Sequence, residues 1–269
     1  MRLPAPFALI AALAATPALA HEFWLSPESY QVAPGEEIRI ATRVGEDFSG
    51  ASYSRFPGSI TRSDIVFGGK SLPTEGRIGD RPAISQVLDG EGLAVVVHET
   101  DDSRVRYDDW AKWERFTTHK GFPEAQERHI ERGGTRELVI EDYRRYAKSL
   151  VAVGAAEGAD APAGLDAEIV ALANPYTEAL SEMPVRVLYR GEAAPEKLVE
   201  IFARPFGDMA AEVEVTEVMT DADGIARIPV EPGHEYQIDS VFLDELDPPS
   251  PSGATFRTLW ANLTFMVPE

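Results

Sequence analysis

The chain has 269 residues, with 45 Asp and Glu against 25 Lys and Arg, a formal net charge of −20 and no cysteine. That balance repels nucleic acid and anionic membrane surfaces. The missing thiols exclude disulfides, a lipid-bearing cysteine and every thiolate metal site, so any metal must be held by nitrogen and oxygen.

Residues 1–20 carry Arg2, an apolar run from Phe7 to Ala15, a break at Thr16-Pro17 and an Ala18-x-Ala20 cleavage site. These are the three regions of a secretory signal peptide. The apolar run is shorter than the roughly 20 residues that span a bilayer, and nothing later is long and apolar enough to do so. The expected product is an exported, periplasmic protein without a membrane span. Cleavage after Ala20 makes His21 the first residue, and its α-amine and imidazole then form a two-nitrogen chelate that no internal histidine offers.

From Glu37 to Val44 apolar and polar residues alternate, the period of a half-buried strand fed by the turn Pro34-Gly35. Further strands are expected at Ile60 to Phe67, Ile84 to Leu88 and Leu93 to Glu99, separated by Gly- and Asp-rich turns. The rhythm breaks at Asp108. Trp110, Trp113 and Phe116 then stand at helical spacing behind an acidic cap, Gly121 ends that helix, and a second one runs from Glu124 to Arg132. Tyr143 to Lys148 reads as a further helix and Ser149 to Val153 as a buried strand.

The small-residue stretch 154–164 reads as a flexible linker between a first domain at 21–153 and a second at 165–269. Strands return at Pro184 to Arg190, Leu198 to Ala203, Glu212 to Met219, Ile225 to Val230, Glu235 to Leu243 and Thr255 to Val267. The expected fold is mainly β: two antiparallel β-sandwich domains, the first with an inserted helical hairpin.

The five histidines are His21, His98, His119, His129 and His234. A hairpin closing at Gly121 would bring His119 and His129 to one face, and together with His21 they would make a nitrogen site suited to copper or nickel. His98 is a further candidate ligand, and Glu22 is the nearest carboxylate to the new terminus. Each has an ordinary explanation too. His119 serves as a charge partner for a helix C-terminus, His129 as a solvated helix residue, and His98 as a satisfied core histidine. His234 sits in a turn. There is no phosphate-binding glycine loop, no His-Glu-x-x-His and no Gly-x-Ser-x-Gly, so no catalytic residue is assigned. Asp221-Ala222-Asp223-Gly224 reads as a hairpin turn because Pro232 stands where a calcium loop needs its glutamate.

His21-Glu22-Phe23-Trp24-Leu25-Ser26-Pro27, the segment Tyr143 to Leu150 and the closing Trp260-Ala261-Asn262-Leu263-Thr264-Phe265 together resemble the NikM-like family of exported proteins. Thr220 to Ala226, followed by Pro232-Gly233, is similar to transthyretin-like and collagen-adhesin B-type modules. The resemblance implies a periplasmic protein that binds nickel or cobalt, with His21 as a natural ligand, and passes it to a metal-uptake transporter or outer-membrane receptor. Two alternatives stand beside that expectation: a copper-dependent oxygenase using the terminal histidine, and a structural or adhesive pair of sandwiches.

Overall fold

The computed structural model describes residues 21–269. The expected signal peptide and its cleavage site lie outside the described residues. The first half runs β1 (Glu22–Pro27), β2 (Gln31–Val32), β3 (Glu37–Glu46), β4 (Ser49–Tyr53), β5 (Ile60–Phe67), β6 (Lys70–Pro73), β7 (Ile84–Val87), β8 (Gly92–Thr100) and β9 (Ser103–Tyr107). Helices α1 (Trp110–His119) and α2 (Glu124–Glu131) follow, and β10 (Val139–Val153) closes this half. The second half adds β11 (Ala167–Ala171), β12 (Glu182–Tyr189), β13 (Glu192–Ala193), β14 (Leu198–Pro205), β15 (Glu214–Met219), β16 (Ile225–Pro229), β17 (His234–Glu245) and β18 (Phe256–Met266). No helix among the described residues is long and apolar enough to cross a membrane.

The mainly β architecture with a helical hairpin is as expected, and its two sandwiches share their middle layer. One central sheet runs β15-β14-β17-β18-β10-β8-β5-β6, with β2 and β9 also pairing with β10. The halves are joined by parallel pairing of β10 with β18, from Glu141↔Phe256 to Ser149↔Thr264. A small sheet of β1, β3, β4 and β7 covers one face of the first half, and a sheet of β11, β12, β13 and β16 covers the opposite face. Strand alternation divides the core accordingly. Ala94, Val96, Ala147 and Val151 pack towards β1 and β3. Leu93, Val95, Val97 and Leu150 join Ile238, Leu263 and Phe265 towards the other sheet.

The helical expectation for Tyr143 to Lys148 is corrected: the whole of 139–153 is one strand. Covered on both faces, β10 has no polar face to alternate, and from Tyr146 to Val153 every residue is buried. Two of its charged side chains are satisfied by distant acids: Arg144 by Glu99 and Asp102, Lys148 by Asp160 and Glu168. The stretch read as a flexible linker is fastened down as well. Asn174 Nδ2 donates to the carbonyls of Ala156 and Gly158, at 2.7 and 3.0 Å.

The helices form where expected. Asp109 caps α1 by accepting from the Ala111 amide at 3.0 Å, and Gly121, with φ +82°, takes the left-handed conformation that turns the chain towards α2. Trp113 and Phe116 bury their rings against Tyr107, Phe256 and Trp260, which locks the end of α1 over β17 and β18.

Candidate metal centre beneath the helical hairpin

Four strands of the central sheet place a row of polar side chains side by side. Asn262 on β18 is opposite Asp239 on β17, Asp239 is opposite Glu200 on β14, and Glu200 is opposite Glu217 on β15. Like charges directly opposite on adjacent strands repel. Asp239 and Glu200 are also buried, where an uncompensated charge is far more costly than at the surface.

The compensation comes from the end of α1, while β1 adds a third acid, Glu22. Lys120, only 3% exposed, directs its Nζ to Glu22 Oε1 at 2.9 Å and Glu200 Oε2 at 2.5 Å, and lies 3.7 Å from Asp239 Oδ2. It also stands 5.1 Å above the Trp260 ring, a favourable place for a cation. His119, next along the helix, puts Nε2 2.9 Å from Glu200 Oε1. One ammonium thus answers three buried carboxylates, and Glu22 Oε2 and Asp239 Oδ2 are left without a hydrogen-bond partner.

The proton affinities follow from this imbalance. Burial pushes Asp239 up to about 7 despite Lys120. Burial also raises Glu22, outweighing its contact with Lys120. Burial pulls on Lys120 in the opposite sense, but Asp239, Glu22 and Glu200 outweigh it and hold the ammonium above its ordinary range. Burial would raise Glu200 too, yet His119 and Lys120 together hold it below. The contact with Glu200 raises His119.

One donor atom from each of His119, Glu200 and Glu217 lies within 4.8 Å of the others. A cavity of about 620 Å³ opens beside His119, lined also by Glu22, Glu46, Asp47, Glu114 and Lys120 among others. An imidazole and two carboxylates make a mixed nitrogen–oxygen donor set, suited to first-row divalent cations. The surplus negative charge and the unpartnered oxygens fit such an ion. The chain belongs to the family described as Domain of unknown function (DUF4198). That family matches residues 18–242, which include His21, Glu22, His119, Glu200, Glu217 and Asp239. No curated protein matches.

Among solved structures the chain is similar to the D0-D1 domain of intimin, at 12% identity and a TM-score of 0.23, over 91% of this chain and 97% of that one. A tetra-tandem repeat from the extending region of a large adhesion protein gives 12% and 0.25, over 92% and 50%. Escherichia coli alpha-2-macroglobulin activated by porcine elastase gives 12% and 0.23, over 93% and 20%. Likeness at this level carries no argument about function.

The five ligands expected from the sequence do not converge. Glu22 and His119 come together, bridged by Lys120 and Glu200. His129 is corrected from a ligand-presenting position to a packed one. Its Nε2 is 3.0 Å from the Thr135 carbonyl, and its ring lies between Trp110 and Phe256, with centroids 5.8 and 5.7 Å away. His21, just ahead of β1, and Glu22, its first residue, line different cavities. His21 instead lines a separate cavity with His98, whose ring stacks on Phe23 at 5.5 Å. Burial and nearby Arg55 push His98 down to about 4, so it is neutral across the physiological range.

Glu200, Glu217 and Asp239 escaped the sequence reading because they are ordinary strand residues until three strands are laid side by side. One signal was present. Glu200 and Asp239 are charged residues inside the apolar runs Leu198 to Phe202 and Ile238 to Leu243, where a polar group needs a partner from elsewhere.

Proposed function

We propose that this is an exported protein that captures or delivers a first-row divalent cation, with nickel, cobalt or zinc best matched to the donors. The ion is cargo held by His119, Glu200 and Glu217, with Glu22 and Asp239 supplying the surrounding negative charge. The observation that carries this reading is the convergence of those three donors at the end of a row of buried carboxylates that outnumber their cations. The resemblance to NikM-like proteins supports the class of metal and a metal-uptake transporter or receptor as recipient. Export rests on the signal-peptide pattern of residues 1–20.

The test is equilibrium dialysis of protein whose N-terminus has been verified by mass, loaded with Ni²⁺, Co²⁺ or Zn²⁺. One equivalent per chain is expected. The exposed Glu217→Gln and His119→Ala should each weaken retention at least about tenfold. A glycine added ahead of His21 should change nothing. Unaltered retention in both variants, with loss on adding the glycine, would move the ion to the terminal chelate and overturn this assignment.

A further inference from the structure

The cavity shared by His21 and His98 has the opposite electrostatics. It encloses about 580 Å³, within the range of small-molecule sites, and is open to solvent near Tyr53 and Phe56. The chain carries 45 acidic residues, yet none of the sixteen residues lining this cavity is Asp or Glu. Two are arginines. Arg55, 8% exposed, gives its Nη atoms to Thr74 Oγ1, Thr74 O and Ala83 O, and its Nε is left without a partner. Arg145 donates to the His21 carbonyl at 3.0 Å and lies over the Tyr143 ring at 4.6 Å, and its Nε is likewise unpartnered.

Every hydrogen-bond partner these guanidiniums hold is thus neutral. Acids stand near both, but Asp80 beside Arg55 accepts from the Arg77 amide, and Glu141 on the strand of Arg145 accepts from Tyr107 and Thr258, so neither makes a direct ion pair. A guanidinium withdrawn from water without a directly paired counter-ion is costly, and planar oxyanions answer its fork of donors best. The walls add apolar and aromatic surface from Phe23, Phe56, Ile60 and Tyr143, while Ser54, Ser59 and Ser103 offer hydroxyls. The neutral His98 ring repels neither part of such a ligand.

We infer that this cavity binds a small organic carboxylate with an aromatic or apolar body, whose oxyanion supplies the direct ion pair that Arg145 and Arg55 lack. The assignment is independent of the metal centre, because it uses the opposite charge and none of the same residues. Isothermal titration of the full chain compares benzoate with benzamide, which has the same shape without the charge. Benzoate should saturate one site, and benzamide should bind at least tenfold more weakly. Arg145→Gln should weaken benzoate at least tenfold with the melting temperature unchanged. Phe56→Ala, at an exposed wall position, should weaken both probes by a similar factor. Equal binding of benzoate and benzamide would overturn the inference, as would no saturable benzoate binding or unchanged affinity in folded Arg145→Gln.

Discussion

Two buried lysines, on opposite faces of the central sheet, each hold more than one carboxylate, and they differ in what completes the arrangement. Lys148 on β10 contacts Asp160 Oδ1 at 2.7 Å and Glu168 Oε1 at 2.9 Å. Backbone amides supply the rest. Ala163, Gly164 and Leu165 donate to Glu168, and Ala161 and Ala171 donate to Asp160, so every carboxylate oxygen has a partner. Lys120 faces three carboxylates that come from three separate strands, and two of their oxygens have none. The first cluster is closed: it ties the 154–164 segment to the sheet. The second is open and lies beside a cavity, and such a residue of charge is what a cation would neutralise.

The sharpest way to break this distinction is to remove each lysine. Taking one partner from a buried ion pair costs about 3–5 kcal/mol, since the other charge is left behind. Lys148→Met should lose that much in urea unfolding whether or not metal is present. Lys120→Met should lose a comparable amount in metal-free buffer and regain part of it with excess Ni²⁺ or Zn²⁺. Equal behaviour of the two variants towards metal would erase the difference between the clusters.

A smaller effect comes from Asp239. Its carboxyl titrates near 7 in the folded chain against an ordinary value of 3.8, so between those values the unfolded chain releases a proton that the folded chain keeps. Folding stability contributed by this group therefore falls as pH rises from about 4 to about 7. Asp239→Asn removes that loss and should raise the melting temperature at pH 7.5 by roughly 3–6 °C for a gain of ~1–2 kcal/mol. The gain should vanish near pH 4.

Smallest in stability is His119, which is half exposed. Its raised pKa means that the protonated ring stabilises the metal-free fold below its ordinary value of 6.5, and this support fades as pH rises through the folded value. His119→Ala should shift stability by less than about 1 kcal/mol. Its effect on the ion is larger. Because a ligand must shed its proton, retention in the native protein should rise with pH through the His119 titration, and that dependence should flatten in His119→Ala when followed by dialysis from pH 5.5 to 8.

The half-exposed and edge elements were legible from the amino acids. The strand at 60–67 and the helices beginning near Trp110 and at Glu124 follow their periodicity and caps, because one face of each meets solvent or a single neighbour. β10 was misread in its first half for the converse reason: a strand buried on both sides with charged residues has no alternation to show. Of the proposed ion site, His119 and Glu22 were visible as chemistry-bearing side chains, while Glu200, Glu217 and Asp239 were not.

By itself the sequence determined that this is a mainly β chain, acidic and thiol-free, with a helical hairpin inserted before β10, since composition and local period act residue by residue. The tertiary structure alone decided which charges meet. Strand register across β18, β17, β14 and β15 set three distant acids in one row, and packing put His21 and Glu22 against different cavities. Register and facing arise from how separate strands pair and pack, and no window along the chain contains them.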